Sequence, residues 1–326
     1  MSEFLCLRPL AFVAGLMLTL PLAAQQPAWP SKPIRIVAPA AAGSGTDLMA
    51  RLVGQPMQAA LGQPVLVENR VGGGGSVGMA AVASAPPDGY TLLLSTDATI
   101  AIQPHFRKEA FDPSKDLAPI GEIASFALVV VVRSDSPIAS LKDLAQAARA
   151  RPGGIAYGVG GKATGGHITG ETIRLSLDIP LTAVAYPSAA RAVTDLLGGH
   201  VDVAISDSVS IVPHVKSGKL KAIATAAAVR ARCLPDTPTL QEQGVPFDLP
   251  YSYGLLASPG TPPEIVDRLN KELRAALALP AVRERIVADC QEPAAESNTP
   301  SAFSERVRYH WMRWGKLIRD AGVQVE

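Results

Sequence analysis

Charge is scarce in this chain. Only 18% of its 326 residues are Asp, Glu, Lys or Arg, and 30 basic against 29 acidic side chains leave a formal net charge of +1. Nucleic-acid binders draw on a clustered basic excess and disordered chains on high net charge with low hydropathy, so neither class fits. Aromatic residues are also few, 5% of the chain against 48% hydrophobic residues in all. There are three cysteines and five histidines, with no CxxC, no HExxH and no aspartate-rich calcium loop. No metal site or cofactor is indicated. Glycine and proline are in excess, 28 of each, but without the period of a collagen-like repeat. A chain of this length is expected to fold as two domains, each with its own core.

Long apolar runs are missing except at the start. Leu10 to Ala24 (LAFVAGLMLTLPLAA) is uncharged and follows a short head carrying Arg8. It is shorter than the roughly 20 residues that span a bilayer, and it reads as the core of a signal peptide covering residues 1–24. The mature protein is therefore expected to be exported, periplasmic and soluble. Cys6 would leave with the signal. Cys233 and Cys290 have the option of pairing in an oxidising compartment, but buried free thiols are the expectation.

Short runs rich in Val, Ile and Leu alternate with helical patterns, the form of βαβ units around a mainly parallel sheet. Strands are expected at 34–38, 65–68, 91–95, 128–132, 155–158, 182–185, 201–205 and 220–225. Helices are expected at 46–61, at 140–150 with a Ser140 cap, and at 189–197 ending on Gly198 and Gly199. Beyond Pro259 the pattern is helical only, over 264–278, 281–288 and 301–321. The last of these carries Tyr309, Trp311, Trp314 and Ile318 among Arg306, Arg308, Arg313, Lys316 and Arg319. It reads as an amphipathic helix with an aromatic stripe docked on the sheet and a solvated basic face.

Two loops between a strand and a helix carry chemical promise. In Pro39 to Asp47 (PAAAGSGTD) and in Gly160 to His167 (GGKATGGH), unpaired backbone amides at the start of a helix, with the positive end of its dipole, suit a carboxylate or phosphate. The alternative for the first loop is an ordinary cap by Thr46 or Asp47. The second resembles a phosphate loop, yet Ala163 stands where Ser or Thr must follow Gly-Lys, so nucleotide binding is not supported. Lys162 is the one cation in either loop. Gly72 to Gly78 fits GxGxxG through Gly73, Gly75 and Gly78, and GxSxG through Gly74, Ser76 and Gly78. Both patterns need the loop to leave a strand end directly, and four residues intervene. The rival function from this motif is an exported hydrolase using Ser76, with a base drawn from His105, His167, His200, His214 or His310.

In order along the chain, the motifs WPSKPIRIVAPAAAGSGTDLMARL, PVLVENRVGGGGSVGMAAVASAPPDGYTLLLST, FDPSKDLAPIGEIA, the Tyr186 to Asp202 segment ending TDLLGGHVD, HVKSGKLKAIA, LPDTPTLQEQG and LLASPGTPPEIVDRLN resemble the Bug family. These are TctC-like extracytoplasmic receptors of tripartite tricarboxylate transporters. The resemblance implies a periplasmic binding protein fold, α/β, of two doubly wound domains joined by a hinge with a cleft between them: 29–126 plus 251–326, and 127–250. It implies no catalysis, no cofactor and no nucleic acid. It implies a monomer that captures a small organic carboxylate, partly through water, for the inner-membrane permease subunits; a sensor feeding a signalling system is the other outlet. Carried onto this sequence, one jaw is Gly43, Ser44, Thr46 and Asp47 with Gly73, Gly75, Ser76 and Thr96. The other is Gly161, Ala163, Thr164 and His167 with Tyr186, Ser206 and Asp207. Departures from the family pattern fall at Ala40, Ser44, Ala163, Pro187-Ser188 and Ser206, all at the cleft, and the small Ala40 to Ala42 leave room for a bulkier or aromatic acid.

Overall fold

The computed structural model describes residues 29–106, 111–113 and 115–323. The expected signal segment and Cys6 lie outside them. The β-branched run IRIVA forms β1 (Ile34–Ala38). Helix α1 (Gly45–Leu61) follows and turns Met49, Ala50, Val53, Met57 and Leu61 inward, one apolar stripe at helical spacing. Then come β2 (Val65–Asn69), α2 (Ser76–Ala83), β3 (Thr91–Thr96) and β4 (Ala118–Phe126). One residue later β5 (Leu128–Arg133) opens a second sheet, followed by α3 (Leu141–Ala150), β6 (Ile155–Val159), α4 (Gly165–Leu177), β7 (Leu181–Ala185), α5 (Ala189–Leu197), β8 (Val203–Asp207), α6 (Ser208–Lys216) and β9 (Leu220–Ala226). The chain returns through β10 (Tyr251–Ala257), α7 (Pro263–Ala278), α8 (Pro280–Ala288), β11 (Glu292–Pro293) and α9 (Pro300–Ala321).

The first sheet has the order β11-β4-β10-β3-β1-β2 and the second β7-β6-β8-β5-β9. They are less parallel than the βαβ alternation predicts. β10 runs antiparallel between β3 and β4, and β5 antiparallel between β8 and β9. Each reversed strand sits at a crossing between the sheets: β4 passes to β5 through Ala127 alone, and β10 receives the chain back. The apolar run at 126–132 is thus the end of one strand and the start of another. The segment beyond Pro259 is not purely helical either, since Glu292 and Pro293 pair with Ser125 and Ala124.

The basic face of α9 is solvated as expected, with Arg306, Arg308, Lys316 and Arg319 exposed, while its aromatic stripe turns inward. Trp314 is fully buried, with ring centroids 5.7 Å from Phe247 and 5.3 Å from Tyr251, whereas Tyr309 is exposed. Arg306 reaches the buried Glu122 at 3.0 Å, and Arg313 and Lys316 pair with Asp248 and Asp320. Beneath the same helix His310 Nδ1 lies 3.0 Å from Asp97 Oδ1. Burial works to lower the pKa of this ring, but the Asp97 carboxylate beside it prevails and holds it above its ordinary 6.5. Asp97 also accepts from Ser252 N at 2.7 Å, which fixes the start of β10.

Cys233 and Cys290 are not free thiols. They form a disulfide with Cα atoms 5.5 Å apart, an ordinary separation for the bond. Cys233 follows β9 and Cys290 follows α8, so the bridge ties the second sheet's segment to the first. The expectation of free thiols treats each cysteine as a small buried apolar residue, and sequence separation alone cannot correct it.

Candidate functional site

Register places the site. Antiparallel pairing sets Tyr253 opposite Thr96 and Tyr251 opposite Phe126, at the ends of β3 and β4. In the other sheet Leu128 lies opposite Asp207. These strand ends face one another across a cleft of about 540 Å³, the position where open α/β sheets hold ligands.

On one side, Ser44 N donates to Ala41 O at 3.1 Å and Gly43 adopts φ +79°, a left-handed conformation that glycine takes without strain. Ser44, not Thr46 or Asp47, caps α1, its side chain accepting from Asp47 N at 3.4 Å. The buried Asp47 carboxylate points back along the loop and accepts from Gly43 N at 2.9 Å and Asn69 Nδ2 at 3.0 Å. Asn69 also donates to Ala40 O at 3.1 Å. Burial works to raise the Asp47 pKa, but hydrogen bonds from Arg51, Gly43 and Asn69 hold it below its ordinary 3.8. The loop is therefore braced from behind, and the Gly45 and Thr46 amides face the cleft with no partner among the described residues.

On the other side, Thr164 caps α4, accepting from His167 N at 3.4 Å and donating to Gly161 O at 3.0 Å. Gly165 N donates to Tyr251 Oη at 2.7 Å, a bond between the two halves of the cleft. The Gly166 amide beside it is unpartnered among the described residues. Ser188 caps α5 by accepting from Arg191 N at 3.3 Å, and the Ala189 and Ala190 amides likewise open into the cleft. The α6 terminus is capped in the same way, Asp207 accepting from Ser210 N at 2.9 Å, but there the cap is an acidic side chain that itself lines the cleft. Three helix N-termini, from α1, α4 and α5, thus present free amides to one cavity.

Of the residues named from sequence, Gly43, Ser44, Thr46, Thr96, Thr164, Ser206 and Asp207 line this cleft. The others do not. Asp47 braces the loop from within. Gly73, Gly75 and Ser76 belong to a turn that packs on Thr99, whose Oγ1 donates to Gly74 O at 3.4 Å, and no histidine is bonded to Ser76 among the described residues. His167 turns onto its own loop, Nδ1 accepting from Ala163 N at 3.1 Å, with Gly161 and Ala163 in the same backbone turn. Burial lowers the pKa of that ring. Tyr186 turns away to the Asp195 carboxylate. Lys162 is also off the cleft wall, which holds no cation among the described residues. Tyr251, Tyr253, Phe126, Ala189 and Ala190 line it and were missed. The readable signal was Tyr-Ser-Tyr at period two, where the chain re-enters the first half.

Asp47→Ala strips acceptors from Gly43 N, Asn69 and Arg51, so it is expected to cost about 2 kcal/mol and to weaken carboxylate binding as the loop loosens. Urea midpoints and calorimetry on one variant check both. Because the native pKa is lowered, the carboxylate's contribution is present above pH 3.8 and is lost as pH falls through the native value. An unchanged midpoint at pH 7 would remove the bracing role.

Among the described residues no group of His, Cys, Asp or Glu gathers to hold a metal ion, and no helix is long and apolar enough to cross a membrane. A family profile described as "Tripartite tricarboxylate transporter family receptor" (TctC) matches residues 49–323. A UPF0065 protein of Bordetella bronchiseptica is 35% identical, the match covering 93% of this chain and 89% of that protein. Among solved structures, the periplasmic binding protein BugD is similar at 32% identity and a TM-score of 0.81, covering 91% of this chain and 100% of BugD. MatC of Rhodopseudomonas palustris with bound malate has a TM-score of 0.80 at 30% identity, covering 89% and 100% of the two chains. R. palustris Rpa4515 with adipate has a TM-score of 0.83 at 30% identity, covering 91% and 99%.

Proposed function

Because the chain belongs to the TctC family of tripartite tricarboxylate transporter receptors, we propose that it works outside the inner membrane. There it closes its two halves on a small organic carboxylate and hands the ligand to permease subunits. The family is one of solute-binding receptors, and relatives hold malate and adipate in this fold. The observation that carries the reading to this chain is the set of unpartnered amides of Gly45, Thr46, Gly166, Ala189 and Ala190 around one cleft. An anion is what such a set binds, by hydrogen bonds and helix dipoles together. The halves are taken as 29–126 with 251–326, and 127–250. A hinge at Ala127 and at Pro250-Tyr251 accords with the two sheets, and residues 1–24 serve as the export signal.

The test is thermal denaturation of the purified protein with malate, adipate and a wider panel of carboxylates. A ligand that binds only the native state stabilises it by about 2.7 kcal/mol at a hundred times its dissociation constant, so the midpoint must rise with concentration. If no acid in the panel moves the midpoint, the receptor reading fails.

A further inference from the structure

Three features that stand out in the sequence do not line the cleft: the glycine bend at Gly73 to Gly75, Ala163 and His167. The structure joins them at one place. The π-helical turn Ala98–Ile102 begins on the cleft wall with Ala98 and ends by delivering Gln103, a half-buried side chain whose Nε2 donates to Ala163 O at 3.2 Å. Gln103 belongs to the first half and Ala163 to the second. The glycine bend seats this side chain. A Cβ on Gly74 would stand 2.7 Å from Gln103 Cδ and Nε2, and Gly74 itself takes φ +65°, so space and backbone both favour glycine there.

Ala163 is buried at φ +53°, a left-handed conformation that costs free energy in any residue but glycine and persists only where the surroundings enforce it. Here it is held at both ends, His167 Nδ1 accepting from its N–H at 3.1 Å and Gln103 donating to its carbonyl. Burial lowers the His167 pKa, which keeps the ring neutral and Nδ1 able to accept. Two residues on, Gly165 N donates to Tyr251 Oη at 2.7 Å. The start of α4 is thus gripped twice by the first half, once by a carbonyl and once by an amide, and Gly166 on the cleft wall follows directly.

Resting on the receptor reading above, we propose that Gln103 is a positioning residue of the solute site: seated on the Gly74 bend, it latches the Ala163 carbonyl across the two halves and so holds the α4 N-terminus against Tyr251. It does not line the cleft. It acts by fixing where α4 begins, and with it the Gly166 amide, while the halves are together. Removing the Gln103 donor leaves the Ala163 turn held at one end alone, and the left-handed residue relaxes. The Gly165–Tyr251 bond then opens more often, and a solute held by that helix start leaves sooner.

Amide exchange of Gly165 in the ligand-free protein, followed by NMR, is the first arm, because that N–H is bonded only while α4 stays on Tyr251. Gln103→Met keeps the length and removes the donor, and Gln103→Glu keeps the shape but sets a carboxylate against the carbonyl. Each is expected to exchange Gly165 about tenfold faster than the parent while the core amide of Val130 in β5 keeps its rate. An unchanged Gly165 rate, a Gly165 amide already unprotected in the parent, or equal acceleration at Val130 would each overturn the proposal. Gly74→Ala, which displaces Gln103 from its seat, should speed Gly165 exchange alone and add nothing to Gln103→Met; full additivity of the two would also overturn it. Stopped-flow kinetics with malate and adipate form the second arm. Dissociation of whichever binds is expected to be about tenfold faster in the Gln103 variants with association unchanged, and an unchanged dissociation rate counts against the latch. If neither acid binds the parent, the receptor reading loses its support, while the exchange of Gly165 still decides the role of Gln103.

Discussion

Gly165→Ala is expected to weaken binding of the tightest carboxylate about a hundredfold, near 2.7 kcal/mol, in a chain that still folds. Gly165 opens α4 directly against the Tyr251 ring, and an added Cβ would overlap its Oη, Cζ and Cε2. Tyr251 has nowhere to retreat: Phe126 lies 5.4 Å away and Trp314 packs against it edge-on at 5.3 Å. The clash is therefore relieved by moving the N-terminus of α4. That movement breaks the Gly165 N to Tyr251 bond and displaces the Gly166 amide from the cleft. Overpacking of this kind costs about 1–3 kcal/mol of stability, a cost a chain of this size survives. Gly165 does not sit at positive φ, so the penalty is steric, not conformational. Circular dichroism and a urea midpoint establish folding, and calorimetry establishes affinity. A variant that binds within about threefold of the parent would mean that the α4 terminus takes no part in holding the ligand.

Much of the fold could be read locally because its signals are local. The run IRIVA, the Ser140 cap and the glycine pair after Leu197 mark element ends within a few residues of themselves, and the structure places those ends there. β4 and β10 were missed for a shared reason. Pro119 and Gly121 interrupt the apolar alternation of β4, and Gly254 interrupts β10, where the Phe303 ring packs directly on its backbone. The packing that makes the two glycines suitable comes from far along the chain, from Asn270 and Leu273 of α7 at Gly121 and from Phe303 of α9 at Gly254. The cleft divides along the same line. Ser44, Thr164 and their glycines announce helix starts in a few residues, so the two amide loops were visible. Tyr251 became a cleft residue only through pairing with Phe126 across 125 positions of sequence. His167 and Tyr186 sit at suggestive positions, yet each found a partner nearby, Ala163 N and Asp195, and turned from the cleft.

Removing the Cys233–Cys290 bridge is expected to produce the largest loss of stability of any change considered. The bond closes a span of 57 residues. In the chain-entropy description a loop of that length restricts the unfolded ensemble by about 4 kcal/mol. It also joins parts that otherwise meet through the crossings at Ala127 and Pro250-Tyr251 and through contacts such as Ser208 Oγ to Cys290 O at 3.1 Å. Cys233→Ala with Cys290→Ala, or the parent chain under dithiothreitol, should therefore melt roughly 10 °C lower, at about 2–4 °C per kcal/mol for a chain of this order. The two treatments separate packing from constraint. The double variant also deletes two sulfur atoms from partly buried sites, whereas reduction leaves the atoms and removes only the bond. Equal losses would assign the effect to the covalent tie, and a loss seen in the variant alone would assign it to packing around Cys290. Affinity should fall less than stability, since neither cysteine lines the amide cleft. If the reduced and oxidised proteins melt together, the bridge does not constrain the chain.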